Sequence, residues 1–281
     1  MMIAPAFPQD WAIQEHALLV ETFSSFIWKV RLLNDEIAIV KEIKIFDDDK
    51  DELRGAHYLR WHNDGACVRL LDFQDRQMLL EYAGDKTLKQ VITEQSDSDA
   101  TAIAAGVIKD LLARSDKPAP TQLQPLRDRF QSLFEKASSD YLIKPDSFYV
   151  KAATMAENLL GNQQNLRVLH GDIHHENIMR SKRGWLVIDP KGLYGDMGFD
   201  TANMFYNPLN QTDLTADPAR IANMAESFAK ALNQSPRHIL DYAVIYGALS
   251  ASWHANDGNN ADEAEELMVA SAILDTSNHY F

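Results

Sequence analysis

The stretch VLHGDIHHENIM, Val168 to Met179, decides how the rest of the sequence is read. Its apolar start has the character of a strand that stops at His170-Gly171-Asp172, and four residues later Asn177 leads into a second apolar pair. The spacing sets a carboxylate and an amide on one short loop between two strands. Downstream, Ser181-Lys182-Arg183-Gly184 reads as a tight turn, and Trp185 to Ile188 as a strand ending at Asp189-Pro190. A second carboxylate therefore stands at a strand end.

H-x-D-x-x-x-x-N is the pattern of a kinase catalytic loop. Such a loop needs a carboxylate to accept the proton of an acceptor hydroxyl and an amide oxygen to hold magnesium beside it. Asp172 and Asn177 fill those two roles in this reading, and Asp189 binds the cation that bridges the nucleotide phosphates. Pro190 stands where protein kinases carry phenylalanine, but the chemistry at that point requires only the carboxylate.

Working outward, the first eighty or so residues read as strands interrupted by one helix. AIQEHALLVETF, FIWKVRLL and EIAIVKEI are alternating or β-branched runs, with Asn34-Asp35 as the turn between the last two. Ala38-Ile39-Val40-Lys41 has the form of a strand ending in a lysine that meets nucleotide phosphates. Asp48 or Asp49 is placed to cap a following helix that carries Leu53, Ala56 and Leu59. Glu52 on that helix is the chosen acidic partner of Lys41, with Asp51 and Glu42 as alternatives. CVRLLDF and QMLLEYA form two more strands, and Leu79 to Gly84 falls where a hinge between lobes belongs, so that the main chain of Glu81 and Ala83 binds the adenine edge. No glycine-rich loop separates the first two strands. Phosphate cover is expected instead from backbone N–H groups and the hydroxyls of Ser24 and Ser25 in Thr22-Phe23-Ser24-Ser25-Phe26.

After Gly84 the apolar period becomes helical, which divides the chain into a nucleotide-binding lobe, residues 1–83, and a catalytic and substrate-binding lobe, residues 84–281. Pro118-Ala119-Pro120 separates two helices, and a third begins near Ser147 and ends at Gly161 as a glycine cap. A β-rich island over 166–189 interrupts the helices, and Ser235 to Asp257 is the longest helical candidate, with Pro236 in its first turn. With 281 residues, 46% of them apolar, the chain can bury a substantial core. The net charge of −14 disfavours nucleic acid and anionic membranes. No apolar run is long enough to span a bilayer, so a soluble cytoplasmic protein is expected. The single cysteine, Cys67, lies in an apolar stretch and reads as a buried, inert thiol.

LHGDIHHEN and WLVIDPKGLYGDMGFDTANMFYNP, Trp185 to Pro208, resemble the aminoglycoside phosphotransferases, within them the streptomycin 6-kinase and hydroxyurea-resistance branch. That branch shows HGDLHHEN, then IDPKG, then GD-x-x-[YF]-D-x-A. The resemblance implies an α+β, two-lobed protein-kinase-like fold, with a small β-rich first lobe and a larger helical second one. It also implies ATP with magnesium and transfer to a hydroxyl of a small molecule such as an aminocyclitol. Asp200 resembles a structural aspartate that orients the catalytic loop through its backbone N–H groups. Gly171 replaces the arginine of protein kinases, and the short run from Asp189 to Gly195 leaves no room for a phosphorylated activation loop.

Three other readings compete with this one. A kinase-like module that binds without turnover fits the missing glycine loop, and kinases of other alcohols or sugars share the fold. Gly171-Asp172-Ile173-His174 matches part of a dinuclear metallophosphoesterase motif, whose other parts are absent. His174 and His175 are read as loop-packing or substrate-edge residues, because magnesium prefers oxygen ligands. Carboxylates after Trp253, namely Asp257, Glu263, Glu265 and Glu266 beside His254, are candidates for holding a cationic acceptor.

Overall fold

The computed structural model describes residues 5–46, 50–113 and 115–281. Its first part is an antiparallel sheet built from β1 (Ile13–Glu21), β2 (Ser25–Leu32), β3 (Ile37–Ile43), β4 (Leu70–Gln74) and β5 (Gln77–Glu81), in the order β1-β2-β3-β5-β4. Alternation along β3 sends Ala38 and Val40 to one face, where they join Trp11, Trp28, Val30 and Leu79 in a small outer cluster. Ile43 goes to the opposite face, into the main core with Ala56, Tyr58 and Leu59 of helix α1 (Lys50–His62). Lys41 shares that face by the same period and so points at α1. Asp48 and Asp49, the candidate caps of this helix, lie outside the described residues.

The chain then passes a short strand β6 (Lys86–Thr87) into α2 (Leu88–Glu94), which begins with a Thr87–Gln90 capping box, and α3 (Asp97–Leu111), capped by Ser96. After strand β7 (Gln124–Pro125) come α4 (Leu126–Arg129), α5 (Gln131–Tyr141) and α6 (Phe148–Gly161). Ser147 caps α6 as its position suggests. Gly161 does not act as a left-handed cap: it is the last helical residue, and the turn that follows places Asn165 at φ 52° instead. Asparagine tolerates that conformation better than most residues, so the glycine is not needed for it.

The β-rich island is β8 (Leu166–Leu169), β9 (Ile178–Ser181) and β10 (Gly184–Val187), extended by β11 (Leu193–Asp196). These strands form two three-stranded sheets, β10-β9-β6 and β7-β11-β8. A 3₁₀ segment, Met197–Tyr206, leads to α7 (Thr212–Thr215), α8 (Pro218–Leu232), α9 (Pro236–Asn256) and α10 (Asn260–Tyr280). Residues Ile239 to Ser252 of α9 are almost all buried, as expected of a helix without a polar face that runs through a core. At 21 residues α10 equals α9 in length, so the segment expected to be longest is not alone. The alternating acids of α10 hide its apolar positions from inspection. The whole is the α+β, two-lobed arrangement expected.

Candidate active site

The site is assembled where β8, β10 and α1 converge. Between β8 and β9 runs the loop 170–177, whose shape is set by buried Asp200. Its carboxylate accepts the N–H of His170 at 2.8 Å and of Gly171 at 2.7 Å. Burial pushes Asp200 up to about 7, against the pull of these two donors. Gly171 sits at φ +83°, and a side chain there would meet Leu193 at 2.8 Å, so the arginine of protein kinases has no place at this position.

His170 is a strut and not a reacting group. Its Nδ1 accepts the N–H of Asp172 at 3.2 Å, which leaves Nε2–H to donate to the carbonyl of Ile188 at 2.9 Å. The ring thereby joins the loop to the strand end just before Asp189. Full burial lowers its pKa to about 3, so it stays neutral. His175 is also buried, its ring nitrogens have no partner among the described residues, and burial lowers it to about 3. It packs the loop, and among the described residues no group of three or more His, Cys, Asp or Glu is arranged to hold a metal.

The Asp172 carboxylate is presented to the cleft with about a quarter of its side chain exposed. Asn203 donates to Oδ1 at 3.0 Å, and the Asn177 amide nitrogen donates to the Asp172 carbonyl at 2.9 Å. With that nitrogen engaged, the free end of Asn177 is its oxygen, the atom a hard cation takes.

Lys41 is buried and donates to both Glu52 and Asp189. The rival partners are engaged elsewhere: Glu42 accepts from the indole of Trp28, and Asp51 pairs with Arg54 and Arg129. Lys191 Nζ stands 3.1 Å from Asp189, 3.4 Å from Glu52 and 3.9 Å from Asp172. Burial disfavours charge on Asp189, but Lys41 and Lys191 outweigh it and hold the carboxyl well below the usual range. Two ammonium groups thus face three carboxylates in one cluster, a set of hard oxygen donors with one negative charge in excess. Such a set fits magnesium, which binds through one or two carboxylates together with substrate phosphates.

The other sequence-selected residues lie along the cleft. Glu81 ends β5, its N–H donates to the carbonyl of Arg69, and its carboxylate is gripped by Arg183 at 2.8 and 2.6 Å. Ala83, just after it, is buried, and its N–H donates to nothing among the described residues. In the turn between β1 and β2, Ser25 is buried and its N–H is used on Thr22 Oγ1, whereas Ser24 is partly exposed. The structure therefore brings Lys41, Glu52, Asp172, Asn177 and Asp189 into one constellation.

Reading the sequence missed Lys191, Asn203 and Arg183 as site residues. All three stand inside quoted segments, Arg183 in the turn 181–184 and Lys191 and Asn203 in Trp185 to Pro208, but their partners come from other parts of the chain.

Among the carboxyl-terminal helices, Tyr206, His254, Asp262, Glu265 and Glu266 line a cavity of about 140 Å³. Burial pushes Glu266 up to about 8, helped by Glu265 and Asp262. Buried Tyr246 lies within electrostatic reach of both Asp172 and Glu266. Of the remaining candidates, Glu263 is turned away onto the Tyr149 hydroxyl, and Asp257 ends α9 in solvent.

Residues 10–258 match the sequence pattern of the aminoglycoside/hydroxyurea antibiotic resistance kinases. The chain is 32% identical over 255 residues to a streptomycin 3''-kinase of Klebsiella pneumoniae, covering 89% of this chain and 91% of that protein. It is 29% identical over 221 residues to a streptomycin 6-kinase of Streptomyces griseus, covering 76% of this chain and 70% of that one. A thermostable aminoglycoside phosphotransferase, APH(4)-Ia, solved with AMP-PNP and hygromycin B, superposes with a TM-score of 0.64 at 16% identity, covering 94% of each chain. A choline kinase from Cryptosporidium parvum superposes with a TM-score of 0.62 at 14% identity, over 97% of this chain and 90% of that one. No helix among the described residues is long and apolar enough to cross a membrane. The chain is a small-molecule kinase and belongs to the aminoglycoside/hydroxyurea antibiotic resistance kinase family.

Proposed function

We propose that the protein transfers the γ-phosphoryl group of ATP, in a magnesium-dependent reaction, to a hydroxyl of a small cationic acceptor of the aminocyclitol class, such as streptomycin. The observation that carries this reading is the cluster in which Lys191 meets both Asp172 and Asp189 while Lys41 holds Asp189 and Glu52. A separate acidic cavity is lined by Asp262, Glu265 and Glu266. Phosphates belong to the first and a cationic acceptor to the second. Inactivating an antibiotic by phosphorylation follows as the biological role, in the cytoplasm where nucleotide is supplied.

In this mechanism the boundary between the lobes lies at residues 83 and 84. Adenine binds along the Glu81–Ala83 main chain, Lys41 holds the phosphates, Glu52 fixes Lys41, and the turn carrying Ser24 and Ser25 covers them. Asn177 and Asp189 would hold magnesium, which supplies charge neutralisation on the phosphate oxygens. The acceptor oxygen attacks the γ-phosphorus, the bond from that phosphorus to the β,γ-bridging oxygen breaks, and the hydroxyl proton passes to Asp172. Asn203 and Asn177 keep that carboxylate aimed at the cleft. The phosphoryl transition state is loose, so positioning and charge balance account for most of the protein's contribution.

The test is Asp172→Asn, which keeps size and polarity but removes the base. Acceptor phosphorylation is expected to fall by about 10²–10⁴ while magnesium-ATP affinity changes no more than a few fold. A wild-type protein that binds ATP but phosphorylates no acceptor in a panel of aminoglycosides, sugars and amino alcohols would return the reading to a binding module.

A further inference from the structure

Phosphoryl transfer needs positive charge at the point where the group leaves ADP and meets the acceptor. The catalytic loop does not supply it. Between Asp172 and Asn177 stand only Ile173, His174, His175 and Glu176, with no lysine or arginine among them. Lys41 faces Glu52 and Asp189 and does not reach Asp172. Among the described residues, Lys191 is the ammonium that contacts both the proton acceptor and the metal-site carboxylate, at 3.9 Å from Asp172 and 3.1 Å from Asp189.

Its backbone is held in register with the loop. The Lys191 N–H donates to the His170 carbonyl at 2.8 Å, and the Gly192 N–H reaches the same oxygen at 3.3 Å. Whatever positions Asp172 therefore positions Lys191 as well. We propose that Lys191 touches the phosphoryl group in flight and neutralises the charge on its equatorial oxygens, a task performed from the segment after Asp189 and not from the catalytic loop. This rests on the kinase reading above. The step leaves Lys191 protonated throughout. The acceptor O–P bond forms, the P–O bond to ADP breaks, and the only proton moved is the one taken by Asp172. Asp189, Glu52 and Asp172 hold the ammonium before nucleotide arrives.

A lysine that merely balances these carboxylates would affect folding and nucleotide binding alike. One that acts on the phosphoryl group would affect mainly its planar form. Magnesium-ADP with aluminium fluoride mimics that form and needs no acceptor, so wild type, Lys191→Met and Lys191→Arg are compared by calorimetry with and without fluoride. Thermal melting of each checks its fold. In Lys191→Met, magnesium-ADP affinity is expected to stay within about threefold, while the fluoride-dependent gain in affinity falls by about 10²–10³. Lys191→Arg, which keeps the charge, should recover part of that gain and serves alone if the methionine variant does not fold, in which case a gain below a tenth of wild type would overturn the idea. Equal loss of ADP and fluoride complexes, or an undiminished gain in Lys191→Met, would also overturn it. Failure of the wild type to bind either complex removes the kinase reading together with this one. A fluoride effect in a protein that phosphorylates no tested acceptor supports the role of Lys191 and leaves only the acceptor class refuted.

Discussion

Glu266 lies on α10 with Oε2 buried and unpartnered among the described residues, while Ser250 donates to the carboxyl group. Burial, reinforced by Glu265 and Asp262, raises it to about 8, so at neutral pH the empty cavity holds a protonated acid. A cationic group entering beside it favours the carboxylate and expels the proton. The sign follows directly: below about pH 8 acceptor affinity should rise with pH, by up to roughly tenfold per unit, and level off above it. Titration of a cationic acceptor from about pH 6.5 to 8.5, in buffers of different ionisation enthalpy, measures both the slope and the proton release. Glu266→Gln should flatten the slope. A flat profile in the wild-type protein would place the acceptor's charge elsewhere.

The position of α1 depends on how closely it approaches the segment after Asp189. A Cβ added at Gly55 would lie 2.3 Å from the carbonyl oxygen of Pro190, a backbone atom that cannot swing aside. Glycine therefore lets the helix rest on the segment after Asp189, and Glu52, nearly one turn earlier, reaches Lys41 from there. Pro190 in place of a large aromatic side chain belongs to the same close packing. Gly55→Ala should push α1 outward and cost about 1–3 kcal/mol of stability. It should also lower nucleotide-dependent turnover more than that loss explains, because Glu52 moves with the helix. Steady-state kinetics on the folded fraction, set beside a melting curve, separates the two effects. Full specific activity in Gly55→Ala would show that α1 does not need this contact to place Glu52.

For the whole molecule, one core of buried residues continues from Ile43, Ala56 and Tyr58 beneath the sheet, through Leu88, Phe130 and Val187, to Ile273 on α10. Polar clamps cross the cleft as well. Arg183 holds Glu81 and the Gly65 and Cys67 carbonyls, and Arg129 on α4 holds Asp51 on α1. Lobes that share a core should unfold together. A single calorimetric transition whose van't Hoff and calorimetric enthalpies agree is expected, moving upward when magnesium-ATP is added. Two resolved transitions in the free protein would show that the hinge, and not the shared core, sets cooperativity.

Local pattern was enough to read β1, β2, β3 and α1, because a period of two or of 3.6 and a turn such as Asn34-Asp35 are properties of consecutive residues. The same holds for the order of Lys41, Asp172, Asn177 and Asp189, which is a spacing of residue types along the chain. Local pattern also favoured Glu52 as the partner of Lys41, but eliminating Asp51 and Glu42 lay beyond it. All three are acids near a lysine, and only packing shows that Trp28, Arg54 and Arg129 engage the other two. Lys191, Asn203 and Arg183 depend on partners as much as 139 residues away, such as Glu52 for Lys191, so no local period could reveal them. The acidic cavity is likewise a product of the tertiary fold. The acids of α10 stand close together in Asp262-Glu263-Ala264-Glu265-Glu266, and only packing shows that Glu265 and Glu266 line the cavity while Glu263 accepts from the Tyr149 hydroxyl.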